Sequence, residues 1–135
     1  MTVERFGVSL EPELLRRFDE YRLEKGYRNR SEAVRDLVRR ALIEEETSRP
    51  EAHVIGTLTF VYEHHVGDCS DRLLHIQHAH HECIQSTTHV HIDRDFCLEV
   101  LIVRGRSAEI RRLADEVLAL RGVKHGELVV TTTSP

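Results

Sequence analysis

The sequence predicts an α+β chain in two parts: a β-α-α unit over residues 1–48, a short linker at 49–52, and a β-α-β-β-α-β unit over 53–135. Three observations carry this expectation. Apolar residues recur at helical spacing in three stretches, from Pro12, from Asn29 to Ser31 and from Ser107, and alternate with polar ones over 3–10 and 87–92. The run Thr47-Ser48-Arg49-Pro50-Glu51 between them is polar and contains a helix-breaking proline. The charge also changes character there: residues 1–50 hold 11 Lys+Arg and 11 Asp+Glu, whereas 51–135 hold 8 and 12, so the back part carries the whole net charge of −4.

In the front part, residues 3–10 place Phe6, Val8 and Leu10 on one side of a short strand and Arg5, Gly7 and Ser9 on the other. From Pro12, at a first helical position, Leu14, Leu15, Phe18 and Tyr21 follow helical spacing until Gly26 ends the element. A second helix begins around Asn29 to Ser31, either of which could cap it, and Ala33, Val34, Leu37, Val38, Ala41 and Leu42 form its apolar stripe. One strand and two helices in fewer than about 50 residues bury too little apolar surface to fold alone, so the unit needs a partner. The economical partner is a second copy, whose strand completes a two-stranded antiparallel ribbon over four helices: the ribbon-helix-helix arrangement. Such a ribbon fits the major groove of double-stranded DNA, with Arg5, Gly7 and Ser9 facing base edges. Arg28, Arg30 and Ser31, at the second helix's N-terminus, would form a phosphate site. The plainer alternative is a dimerisation module that touches no DNA.

In the back part, His53–Tyr62 is the first strand and Asp68 to about Gln77 a helix; residues 83–92 and 97–104 form a hairpin. Ser107 is expected to cap a helix whose Ile110, Leu113, Ala114, Val117 and Leu118 share one face, Gly122 ends it, and Glu127–Thr132 is the last strand. That order is the ferredoxin-like split unit, with two helices on one face of an antiparallel sheet. The other face must meet something, and a second subunit would serve.

The hairpin carries the chemistry. Thr87–Ile92 is β-branched and alternating, Asp93-Arg94-Asp95 is turn-like, and Cys97–Val103 is the returning strand. A turn centred on Arg94 places His91 opposite Cys97, with Cβ atoms roughly 4.5–5.5 Å apart, and His89 opposite Glu99. A slip of one residue would break that arrangement. A lone His-x-His is usually a solvated face, but eight of the ten histidines (His64, His65, His75, His78, His80, His81, His89, His91) lie between residues 64 and 91. Metal binding is therefore the reading taken. His89, His91 and Cys97 give three ligands, and His75, His78, His80 and His81 are the reservoir for a fourth. Tetrahedral zinc is the default for mixed His and Cys ligands, tetragonal sites suit Ni(II) or Cu(II), and ligand type alone does not separate them. No His-Glu-x-x-His and no carboxylate with a claim to general-base work is present, so an enzyme is not expected; Glu99 is instead a candidate hydrogen-bond partner for His89.

Three cysteines without paired spacing argue against a disulfide framework, and no apolar run reaches membrane-span length, nor does the start read as a signal peptide. A cytoplasmic protein without membrane association is expected.

The residues resemble those of the NikR family of nickel-responsive transcriptional regulators over nearly the whole length. The resemblance rests on Gly26-Tyr27-Arg28-Asn29-Arg30-Ser31-Glu32-Ala33, Tyr62-Glu63-His64, Gln77-His78, His89-Val90-His91-Ile92 with Cys97, and Arg121-Gly122-Val123-Lys124-His125-Gly126. It implies an operator-binding ribbon-helix-helix dimer in front and an ACT-type domain behind that assembles a homotetramer and holds Ni(II) in a square-planar site. The implied ligands are His89, His91 and Cys97 of one subunit with His78 of a neighbour, and Glu32 and Asp36 become a secondary cation site. The expected function is a nickel-dependent repressor of nickel uptake genes on a palindromic operator. Gly7 departs from the family pattern, bringing no side chain where a polar one is usual, and His78-Ala79-His80-His81 interrupts a longer histidine run. The readings from other classes are an ACT-type amino-acid sensor with incidental histidines, a metalloenzyme, and an antitoxin-like partner protein.

Overall fold

The computed structural model describes residues 2–133; Met1, Ser134 and Pro135, which fall within the predicted domain limits, lie outside the described residues. The chain divides into two compact units, residues 1–41 and 42–135.

In the first unit, α1 (Pro12–Lys25) opens on proline with Glu13 in its first turn and closes with Arg22 and Lys25 in its last, so both ends carry the charge that complements the helix dipole. Gly26, at φ 82°, takes the left-handed conformation that lets its own N–H reach the Leu23 carbonyl at 3.2 Å and the Tyr27 N–H reach that of Arg22 at 3.0 Å. Of the two possible caps for α2 (Arg30–Thr47), Asn29 is the one used: its Oδ1 accepts the Glu32 N–H at 2.9 Å. Residues 2–11 carry no regular secondary structure, where the sequence predicts a strand over 3–10. A strand exists only through its ladder, and among the described residues none pairs with this segment. The apolar side of the expected ribbon is bare, with Phe6 at 76% and Val8 at 65% exposure, and Ala33 is the one buried apolar residue described in the unit.

The second unit is a four-stranded antiparallel sheet in the order β2-β3-β1-β4, built from β1 (His53–Glu63), β2 (Ile84–His91), β3 (Phe96–Arg106) and β4 (Val123–Thr131), with α3 (Cys69–Ala79) after β1 and α4 (Ser107–Leu118) after β3. Alternate residues of the central strands, Val54, Leu58, Phe60 and Tyr62 on β1 and Cys97, Leu101 and Val103 on β3, pack with Leu73 of α3 and Ile110, Leu113 and Val117 of α4 into one core. The opposite face stays open among the described residues, with Ile55, Val90 and Val129 all exposed.

Ser107 differs from its expected role. Arg106 stands at the N-cap without a side-chain bond, and Ser107 is the first residue of α4. The cap is not needed because backbone supplies it: the Ser107 and Ala108 N–H groups donate to the carbonyls of Ala52 and Pro50 at 2.7 and 2.9 Å. The freed Ser107 hydroxyl donates to the Thr47 carbonyl at 2.6 Å, and the Arg111 guanidinium donates to the same carbonyl and to the Ser107 hydroxyl, each at 3.1 Å. The last turn of α2 and the predicted linker are thus tied to α4. Replacing Arg111 by Met, which keeps the stem and removes the donors, is expected to lower the stability of the metal-free protein by roughly 1–3 kcal/mol. Urea denaturation followed by circular dichroism checks this, and an unchanged midpoint would deny Arg111 the role.

Candidate metal centre

The hairpin register places His91 opposite Cys97 and His89 opposite Glu99, as the turn-centred reading expects. Its tip is fixed locally. Asp93 Oδ1 accepts the N–H groups of Asp95 and Phe96, both at 2.9 Å, and these two bonds hold the Asp93 carboxyl below its ordinary value. From the end of β1, the His64 N–H donates to the Asp95 carbonyl at 3.2 Å and His64 Nε2 to that of Arg94 at 2.8 Å. Directly opposite residues of an antiparallel pair share a face, so two imidazoles and a thiol converge. The ligand atoms of His89, His91 and Cys97 all lie within 4.8 Å of one another, the one such group among the described residues. Cys97 Sγ is 3.4 Å from His91 Nδ1; the thiol is buried, whereas both histidines are exposed. The site is closed beneath the sulfur and open above the imidazoles.

Two buried side chains flank it. Tyr62 is the cross-strand neighbour of Cys97, and its ring stands edge-on to His89 at 6.1 Å. Burial, then the nearby charges of Glu99 and Cys97, push its hydroxyl up to about 12, so it remains a neutral phenol beside the ligands. Glu99 occupies an inward position in the otherwise apolar stripe of β3, and Gln77 Nε2 of α3 donates to it at 3.0 Å. Burial pushes its carboxyl up, while the Gln77 bond and the His89 ring pull it down. A carboxylate held beside an imidazole fixes the ring's orientation and offsets the charge of a bound cation. The place of Glu99 opposite His89 follows from the turn-centred reading; Tyr62 beside the site and Gln77 as the partner of Glu99 do not.

The other expected site residues fall in several places. His78 lies exposed at the end of α3 and is not in the three-ligand group. The His81 ring donates to the His78 carbonyl at 3.1 Å, and His80 Nε2 to Glu116 Oε2 of α4 at 2.8 Å. His65 lies 3.9 Å from Asp95, and His75 is exposed on α3. In the first unit Arg5, Gly7, Ser9, Arg28, Arg30 and Ser31 are all exposed. Arg30 also forks onto Asp19 at 3.0 and 2.8 Å, which holds the Asp19 carboxyl low. Glu32 and Asp36 are also engaged internally. Glu32 accepts the Arg28 N–H at 3.3 Å, while Asp36 accepts the Tyr27 hydroxyl and pairs with Arg40 at 3.1 Å; the two take no part in the function proposed below.

The mixed nitrogen and sulfur donors suit a borderline divalent ion such as Ni(II), Cu(II) or Zn(II). Residues 55–131 match the family described as the NikR C-terminal nickel-binding domain. The chain belongs to the NikR family. Residues 4–45 match a second family, ribbon-helix-helix proteins of the copG type. A nickel-responsive regulator of Geobacter sulfurreducens is 54% identical over 129 residues, covering 96% of this chain and 93% of the relative. One from Trichlorobacter lovleyi is 48% identical, covering 98% and 96%. A third, from Caldanaerobacter subterraneus subsp. tengcongensis, is 50% identical, covering 97% and 85%. The chain is thus a nickel-responsive, DNA-binding regulator of the ribbon-helix-helix class, from a family of transcription regulators and not of enzymes. A nickel-binding domain also gives the histidines a purpose that an amino-acid sensor would not. No helix among the described residues is long and apolar enough to cross a membrane.

Proposed function

We propose that this NikR-family chain is a nickel-dependent repressor of nickel uptake genes, acting in the cytoplasm as a homotetramer of two ribbon-helix-helix dimers with an ACT-type core. The observation that carries this reading is the convergence of His89, His91 and Cys97 within 4.8 Å in a chain whose front residues 4–45 match a DNA-binding class. These three hold Ni(II), with the two imidazoles and the thiolate supplying donors at ordinary pH once their protons leave. His78 of a neighbouring subunit completes a four-donor set, consistent with its absence from the group within one chain. The open sheet face, with Ile55 and Val129 at 39% and 57% exposure, is the surface two subunits would cover. In the front unit, paired strands from two chains present Arg5, Gly7 and Ser9 to the major groove of a palindromic operator, while Arg28, Arg30 and Ser31 approach phosphates.

Metal and operator binding are then reciprocally coupled, by about 1–3 kcal/mol or roughly 5–150-fold in affinity. Fluorescence anisotropy of labelled duplex from upstream of a nickel transporter gene, titrated with protein with and without Ni(II), tests this. A gain of that size with nickel, accompanied by tetramers in sedimentation, is expected. Equal affinity in both conditions would overturn the coupling.

A further inference from the structure

We infer that Glu116 is a positioning residue for nickel binding: by accepting a hydrogen bond from His80 it anchors the last turn of α3, and with that turn the imidazole of His78. The inference rests on the four-donor set proposed above and adds to it a residue that touches neither the metal nor any of its donors. The first turns of α3 are held by Cys69 and Leu73, both buried, and by Ile76, which packs against the core. Beyond Ile76 that apolar anchorage ends, because His78 and Ala79 are exposed and Gln77 and His80 are only half-buried. A helix end without buried side chains frays.

Two side-chain bonds oppose the fraying, and His78 lies between them in the chain. Gln77 Nε2 donates to Glu99 of β3 at 3.0 Å, and His80 Nε2 donates to Glu116 Oε2 of α4 at 2.8 Å. Glu116 is a firm anchor, since its neighbours Leu113, Ala114 and Val117 on α4 are all buried in the core. The His80 side chain is 17% exposed, so the bond is partly shielded from solvent. His80 is also where the helix stops. Its N–H donates to the Ile76 carbonyl at 3.1 Å, and its carbonyl accepts the N–H of the buried Cys83 at 2.9 Å. Fixing the His80 ring therefore fixes the turn that carries His78, and a donor ordered before the metal arrives costs less to order on binding.

The test is Ni(II) titration of the full chain against a chelator of known nickel affinity, for wild type, Glu116→Ala, Glu116→Gln, His78→Ala and the double variant His78→Ala with Glu116→Ala. Retention of the thiolate-to-nickel band in each Glu116 variant shows that the hairpin is intact. Glu116→Ala is expected to lose about two- to tenfold in nickel affinity, the worth of one hydrogen bond. Glu116→Gln, whose amide oxygen still accepts from His80, should stay within about twofold of wild type. With His78 already replaced, Glu116→Ala should cause no further loss, whereas a general weakening of the fold would add to it. In the metal-free protein, Glu116→Ala should quicken amide hydrogen exchange over residues 77–80 and leave β3 unchanged. Wild-type nickel affinity in Glu116→Ala, the same loss with and without His78, or unchanged exchange in the last turn of α3 would each overturn the inference. If His78→Ala itself binds nickel as the wild type does, the four-donor set fails and the inference falls with it.

Discussion

Cys97→Ala is expected to weaken Ni(II) binding by about a hundredfold or more and to abolish nickel stimulation of operator binding, while the protein stays folded. The size follows from the composition of the group. Loss of a hydrogen-bond partner behind a metal ligand typically costs 10–100-fold in affinity, and loss of a donor atom lies at or beyond the top of that range. Cys97 is also the one donor of the three that becomes an anion on metal binding, and it sits 1% exposed at the closed end of the site. The neighbouring Tyr62 hydroxyl, pushed up to about 12 mainly by burial, is a poor substitute for it. Truncating a buried cysteine to alanine removes one heavy atom from a core position, which costs about 1 kcal/mol and leaves the sheet in place. Absorption spectroscopy checks the first effect: the wild type should develop a thiolate-to-nickel charge-transfer band saturating at one ion per chain, and the variant none. Wild-type nickel affinity in Cys97→Ala would remove the thiolate from the ligand set. Because every donor must give up its proton, affinity in the wild type should also fall steadily as the pH is lowered.

Why the hairpin was legible and other parts were not comes down to sequence distance. The pairing of His91 with Cys97 follows from a five-residue turn and the period of two along a strand, and both are local. The core stripe of α4, Ile110 to Val117, follows from a period of 3.6, and residue type narrows the α2 cap to Asn29 or Ser31, of which the structure uses Asn29. The contacts that escaped join residues far apart. Ser107 and Arg111 meet the carbonyl of Thr47 across 60 and 64 positions, and a backbone carbonyl leaves no mark in a sequence. The fork of Arg30 onto Asp19 likewise spans the turn between two helices. The strand at residues 3–10 is a different case. Its alternation is plain, yet among the described residues no second strand completes its ladder.

That half-ladder sets the second large effect. Phe6→Glu is expected to reduce operator binding by at least about a hundredfold while leaving nickel stoichiometry and the charge-transfer band unchanged. The first unit buries one apolar residue, Ala33, and α1 buries none, so the unit has no core of its own among the described residues. Phe6, Val8, Leu14 and Val38, at 76, 65, 49 and 48% exposure, are the surface from which a core could be made by a second copy. Fully burying a phenylalanine is worth about 1.5–3 kcal/mol, and two-fold symmetry counts it twice, so Phe6 alone contributes roughly 3–6 kcal/mol to such a dimer. Glutamate forfeits that term and places two like charges in an apolar interface, which neither solvent nor a partner offsets. Without the paired ribbon, Arg5 and Ser9 have no rigid frame on which to enter the groove. Anisotropy with operator duplex, run beside a nickel titration of the same preparation, separates the outcomes. Full operator affinity in Phe6→Glu would mean that the apolar side of the segment is not the dimer core. Loss of both activities would point to misfolding, and Phe6→Ala, which removes burial without adding charge, should then show the same selective loss at smaller size.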